Sequence, residues 1–100
     1  MIPSREELAL SIDQAEWEAL RPHLERGGLI LVDDNLDLAD TALKVASDDV
    51  EIIQRWVENG MIGKPSDSKI RSWNEERQKI FAMLIVSPYI LIQEKMPIFH

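Results

Sequence analysis

The chain has no cysteine among its 100 residues, which excludes disulfides, zinc–thiolate centres and a cysteine nucleophile. Histidine is nearly as scarce: only His23 and the final residue, His100, are present. His23 follows Pro22 on a helical segment and reads as a surface or capping residue rather than a base. Of the four glycines, none sits in a phosphate-cradling loop, because Gly27 and Gly28 precede a strand instead of following one. No apolar run reaches the roughly 18 residues that span a bilayer, and MIPSREELALS lacks the basic region and apolar core of an export signal. A cytoplasmic location without membrane insertion is therefore expected. Bases are also in deficit, 11 against 18 acids for a net charge of −7. The deficit is uneven: residues 1–59 hold 14 acids and 5 bases, whereas residues 60–100 hold 4 acids and 6 bases. An acidic body repels a phosphate backbone, so nucleic acid is disfavoured as a partner.

What the chain does have is one uncharged stretch, Ile80 to Gln93, IFAMLIVSPYILIQ. Its β-branched and aromatic content marks it as strand. Read continuously with period two, one face carries Ile80, Ala82, Leu84, Val86, Ile90 and Ile92, and the other Phe81, Met83, Ile85, Tyr89 and Leu91. Both faces are apolar, which calls for helices on both sides or for a second chain. Ser87 and Pro88 interrupt the run. A two-residue hairpin loop would need a positive φ at Ser87, unfavourable before proline, so a single bent or bulged strand at a sheet edge is expected.

Earlier segments follow from caps and breakers. Ser4 with Glu7 opens a short helix from about Arg5 to Ser11. Asp13 with Glu16, and the staple pair Ile12 and Trp17, predict a helix from about Gln14 to Arg26, kinked or restarted at Pro22 and ended by Gly27 and Gly28. Leu29 to Val32 reads as a short buried strand. Asp37 caps a helix over Leu38 to Ala46. Asp48 with Glu51 caps another from about Asp49 to Asn59, whose core face is Val50, Ile53, Trp56 and Val57. A brief strand at Met61 and Ile62 and a helix from Ser66 or Asp67 to about Arg77 complete the order. The expectation is a single compact α+β domain over residues 1–95: a small sheet with a long bent C-terminal strand, packed by four to five helices. Residues 96–100 form a tail whose Met96, Pro97, Ile98 and Phe99 are apolar.

Few constellations carry chemistry. The two helices between Leu38 and Asn59 outline a helix-turn-helix with a wing, but the second would present Asp48, Asp49, Glu51 and Glu58 against Arg55, a poor surface for reading bases. The one basic concentration is Lys64, Lys69, Arg71, Arg77 and Lys79, diluted by Asp67, Glu75 and Glu76. Asp33, Asn35 and Asp37, with Asp40, mimic the start of a calcium loop, yet Leu38 and Lys44 stand where Gly and Glu are required. A turn followed by a helix cap explains these acids. Trp17, Trp56 and Trp73 lie on apolar helix faces and read as core. Pro88, Tyr89, Gln93 and Glu94 mark a strand end that could meet another chain.

The run RGGLILVDDNLDLADTALKVASDDVEIIQRWVENGMIGKPS, then WNEE, then FAMLIVSPYILIQE resembles a family of short bacterial proteins catalogued as a domain of unknown function. The resemblance covers about Ala15 to Glu94, and members from photosynthetic bacteria look closest. Its most specific part is a closing strand of the type Val-x-Pro-aromatic-Val-Leu-x-Gln-Glu, matched by Val86, Pro88, Tyr89, Leu91, Gln93 and Glu94. The resemblance implies a bacterial cytoplasmic protein and carries no catalytic residues. The functional expectation is a non-enzymatic protein-interaction or regulatory module without cofactor or metal, its partner another protein, with homodimerisation the simplest way to cover the apolar strand. The alternative is a winged-helix-like nucleic-acid binder using Lys64 to Lys79.

Overall fold

The computed structural model describes residues 2–94. The apolar tail from Met96 to Phe99 therefore lies outside the described residues. Helix α1 (Arg5–Leu10) is capped as expected, the Ser4 hydroxyl accepting from the Glu7 amide. The next segment departs from its local signals. Asp13–Glu16 is a strand, β1, and helix α2 (Trp17–Glu25) starts three residues later than its capping box predicts. The reason is non-local. β1 pairs antiparallel with residues 80–83, and the first amides of α2, on Trp17 and Glu18, donate to the carbonyls of Lys79 and Arg77 instead of to a side-chain cap. Backbone some 60 residues downstream thus satisfies the donors that every helix start leaves open. Pro22 lies inside one continuous α2, with no restart, and Gly27, at φ 77°, supplies the left-handed residue beyond its end.

Strand β2 (Leu29–Val32) and helix α3 (Leu38–Ala46) fall where the sequence places them, with Asp37 capping through the Asp40 amide. Arg5 reaches across from α1 to Asp37 and Asp40. Its hydrogen bond to Asp40, followed by the two carboxylate charges, holds its guanidinium pKa above the ordinary value. Helix α4 (Val50–Glu58) is capped by Asp49 rather than Asp48, because Asp48 takes a left-handed φ of 53° and Asp49 accepts from the Ile52 amide. β3 is the two-residue strand Ile62–Gly63, and α5 (Asp67–Glu75) is capped by Ser66.

The apolar stretch forms two strands, β4 (Ile80–Val86) and β5 (Tyr89–Gln93), in a hairpin. Val86 lies opposite Tyr89, and the Ser87–Pro88 peptide between them is cis. The expected bent strand presumed a trans peptide; a turn with cis proline at its third position closes a hairpin without the positive φ. Reversal at the turn also swaps the faces of β5. Leu91 sits beside Leu84, and Ile92 beside Met83, the opposite of a continuous period-two reading.

Five strands form one sheet in the order β1-β4-β5-β2-β3, with β2 and β5 parallel and the other pairs antiparallel. Helices cover both faces. On the front, α1, α3 and α4 pack through Leu8, Leu38, Ala39, Ala42, Ile53 and Trp56 onto Val32, Ala82, Leu84 and Leu91. At the back, α2 and α5 pack through Trp17, Leu20 and Trp73 onto Leu29, Phe81 and Ile92. Burying a side chain such as Leu84 or Ile92 contributes about 2 kcal/mol. The chain therefore covers most of its own two-faced strand, leaving Ile80 and Ile85 of β4 exposed. The chain is an α+β domain with a central mixed sheet.

Candidate functional site

Front-face packing is incomplete at one corner. Helix α4 turns Trp56 and Ile53 toward the core, but Val50 and Val57, expected in that core, are 67% and 53% exposed. They are seven residues apart, hence on one side of the helix two turns from each other. Between them and the sheet lies an open groove of about 320 Å³. Ile30 and Leu91, register partners on β2 and β5, form its floor with Tyr89, Ile62 and Gly63. Its wall is Val50, Ile53 and Val57, and Val45 and Asp48 close the end at the α3–α4 turn. Ten residues line the groove, and Asp48 is its one charged member.

Tyr89 therefore belongs to the site, though not for the reason the sequence suggested. β5 lies between β4 and β2, so Tyr89 and Gln93 are on an interior strand and not on a free edge. Gln93 is only 5% exposed, and its amide donates to the carbonyls of Asp33 and Leu36 at 2.9 and 2.7 Å, pinning the β2–α3 loop. Pro88 stays in the exposed turn, where its carbonyl lies 3.1 Å from the place a Cβ would take at Gly28, a tight approach that a side chain would accommodate only by a small shift of the turn.

Of the basic residues of the 64–79 segment, Lys64, Lys69 and Lys79 gather around Glu94 and the two arginines stand apart. Lys69 and Lys79 both engage Glu94, at 2.7 and 3.8 Å, and the Trp73 indole donates to the same carboxylate at 3.1 Å. Arg77 lines a cleft between α2 and α5 with Arg21, Glu18 and Glu25. Lys64 lies in a polar cleft with Asp33, Asp34, Lys69 and Glu94, while Arg71 is exposed on α5. The calcium-like acids resolve as the turn and cap: Asp33 accepts from the Asn35 amide, and Asp37 from the Asp40 amide. Among the described residues no group of three or more His, Asp or Glu side chains could hold a metal. No helix among them is long and apolar enough to cross a membrane.

The surroundings of Glu94 shift its pKa. Burial acts to raise it, but the hydrogen bonds from Lys69 and Trp73, with the charges of Lys69 and Lys79, outweigh burial and bring it below its ordinary 4.5. A folded pKa depressed in this way stabilises the native state fully above the unfolded value and ceases to do so as the pH falls through the folded one. Glu94→Gln is accordingly expected to lower the urea midpoint near neutral pH, with the gap to the parent closing below the folded pKa. A gap equally wide at roughly pH 7 and pH 2 would contradict this origin.

An acidic α+β domain with an open apolar groove, and no reactive cluster beside it, is the class that fold and site define. Residues 3–94 match the family described as "Protein of unknown function (DUF2288)", and the chain belongs to that family. Its fold is similar to the NMR solution structure of PA1075 from Pseudomonas aeruginosa, with a TM-score of 0.77 and 29% identity over 93% of this chain and 87% of that one. Among curated proteins none matches.

Proposed function

We propose that the protein is a non-enzymatic, cytoplasmic interaction module that captures a segment of another protein in the groove between α4 and the sheet. The observation that carries this reading is the pair Val50 and Val57, held outside the core beside an apolar trough of about 320 Å³. Apolar surface that is concave and left open is the common form of a helix- or peptide-binding site. The groove's aliphatic lining offers no paired nucleophile and base, and His23 lies on α2 at the opposite face of the sheet.

Val57→Asp tests the proposal without disturbing the core, since an exposed site tolerates substitution within about 0.5 kcal/mol. Parent and variant, tagged and incubated in nuclease-treated lysate of the host, are compared by quantitative mass spectrometry. A specific protein held by the parent and reduced about tenfold or more by the variant is expected, as for a truncated anchor at an interface centre. Equal retention by both proteins, or recovery of the bait alone, would reject the groove as the docking site.

A further inference from the structure

The ends of the groove differ in charge, and that difference names the chemistry of the occupant. We infer that the bound segment carries a lysine or arginine next to its apolar side chains, and that this base meets Asp48. The inference rests on the reading of the groove as a docking site. Asp48 is the groove's one ionisable side chain apart from the phenol of Tyr89. Its carboxylate has no hydrogen-bonding or ionic partner among the described residues. The neighbouring charges have partners: Asp49 caps the Ile52 amide and lies 3.7 Å from Lys44, and Glu51 lies 3.8 Å from Arg55.

Asp48 is also fixed in place. Its amide donates to the Val45 carbonyl at 3.2 Å, its own carbonyl accepts from the Val50 amide at 2.8 Å, and its backbone is left-handed. The exposed side chain thus springs from a fixed point at one end of the trough, in residues 1–59, where acids outnumber bases 14 to 5. An acidic segment would be repelled there, and a wholly apolar one would leave the charge unpaired. From Val50 to Val57 the wall runs about 10 Å, the length of roughly three residues of extended chain. A short cluster of apolar side chains with one adjoining base fits both the length and the charge.

The test is selection from a displayed library of random peptides against the full chain, repeated with Val57→Asp and Asp48→Asn. Asparagine retains the tolerance for a left-handed backbone while removing the charge. Peptides recovered on the parent and lost on Val57→Asp should be enriched in lysine or arginine beside an apolar cluster. Synthesised singly, they should bind Asp48→Asn about two- to fivefold more weakly, the range an exposed ion pair supplies, with the difference shrinking at high salt. Groove-dependent peptides with no basic preference, or with equal affinity for Asp48→Asn, would overturn the assignment of the base and leave the docking site standing. No recovered peptides, or peptides indifferent to Val57→Asp, would remove the docking site and this inference with it.

Discussion

Phe81→Ala is expected to destabilise the protein by about 3–5 kcal/mol, the usual cost of deleting a fully enclosed aromatic ring. Phe81 is 0% exposed, and two indoles hold it from different helices. Trp73 of α5 stands edge-on at 4.8 Å between ring centres, and Trp17 of α2 lies at 5.9 Å. The indoles themselves meet at 4.9 Å, so the three rings form one closed unit at the back of the sheet. Contacts of this kind add about 0.5–1.5 kcal/mol each beyond area burial, and alanine would forfeit two of them along with the buried surface. Against a typical total of about 5–15 kcal/mol, the loss could leave the domain largely unfolded at physiological temperature. Urea denaturation provides the check. A loss below about 1.5 kcal/mol would mean that the back layer collapses onto the vacancy or that the rings do not pack as described.

Gln93→Leu carries the second large effect, about 1–3 kcal/mol, by a different physical route. Leucine is similar in size and apolar, so burial by itself would favour it. What it cannot do is donate. The carbonyls of Asp33 and Leu36 each receive a hydrogen bond from the Gln93 amide; the Asp33 carbonyl keeps a second one from the Leu36 amide, but the Leu36 carbonyl would be left unpaired, at about 1–3 kcal/mol. Gln93→Glu makes the comparison decisive. A carboxylate would face two carbonyl oxygens in a nearly closed site, so the glutamate variant should be less stable than the leucine variant near neutral pH. Equal stability of both variants with the parent would show that water reaches the loop and replaces the side chain.

The same residues show where the sequence could be read and where it could not. Local signals located β2, α3, the start of α1 and the cap of α5, because a hydroxyl or carboxylate three residues before an open amide is a contact within one turn. They failed at Asp13–Glu16, whose capping-box spacing competes with pairing to β4; no residue near Asp13 announces that Ile80 to Met83 will lie alongside. Periodicity gave two apolar faces to Ile80–Gln93 and so required cover on both sides, which α1, α3 and α4 at the front and α2 and α5 at the back provide. It could not give the reversal at Ser87–Pro88, since peptide isomer is not written in hydrophobicity, and the faces of β5 were exchanged as a result. The candidate groove was legible only in part. Val50 and Val57 read as core-face residues together with Ile53 and Trp56, but whether a helix lies flat on a sheet or stands off it is decided by the other helices on that face. Tyr89 was singled out for an edge it does not occupy, yet it lines the groove. Through Gln93 and Glu94, the closing motif that suggested the family ends in one side chain that pins the β2–α3 loop and another that engages Lys69, Lys79 and Trp73.

The division of the three tryptophans between the two layers gives each face its own optical label. Trp17 and Trp73 are enclosed behind the sheet and donate their indole protons to Asn74 and Glu94, whereas Trp56 is only partly buried, packed against the front core from α4. Emission from the back pair follows the integrity of the domain, and emission from Trp56 follows events at the front. A chain that retains Trp56 and carries phenylalanine at the other two positions thus reports on the packing of the front layer without an added dye.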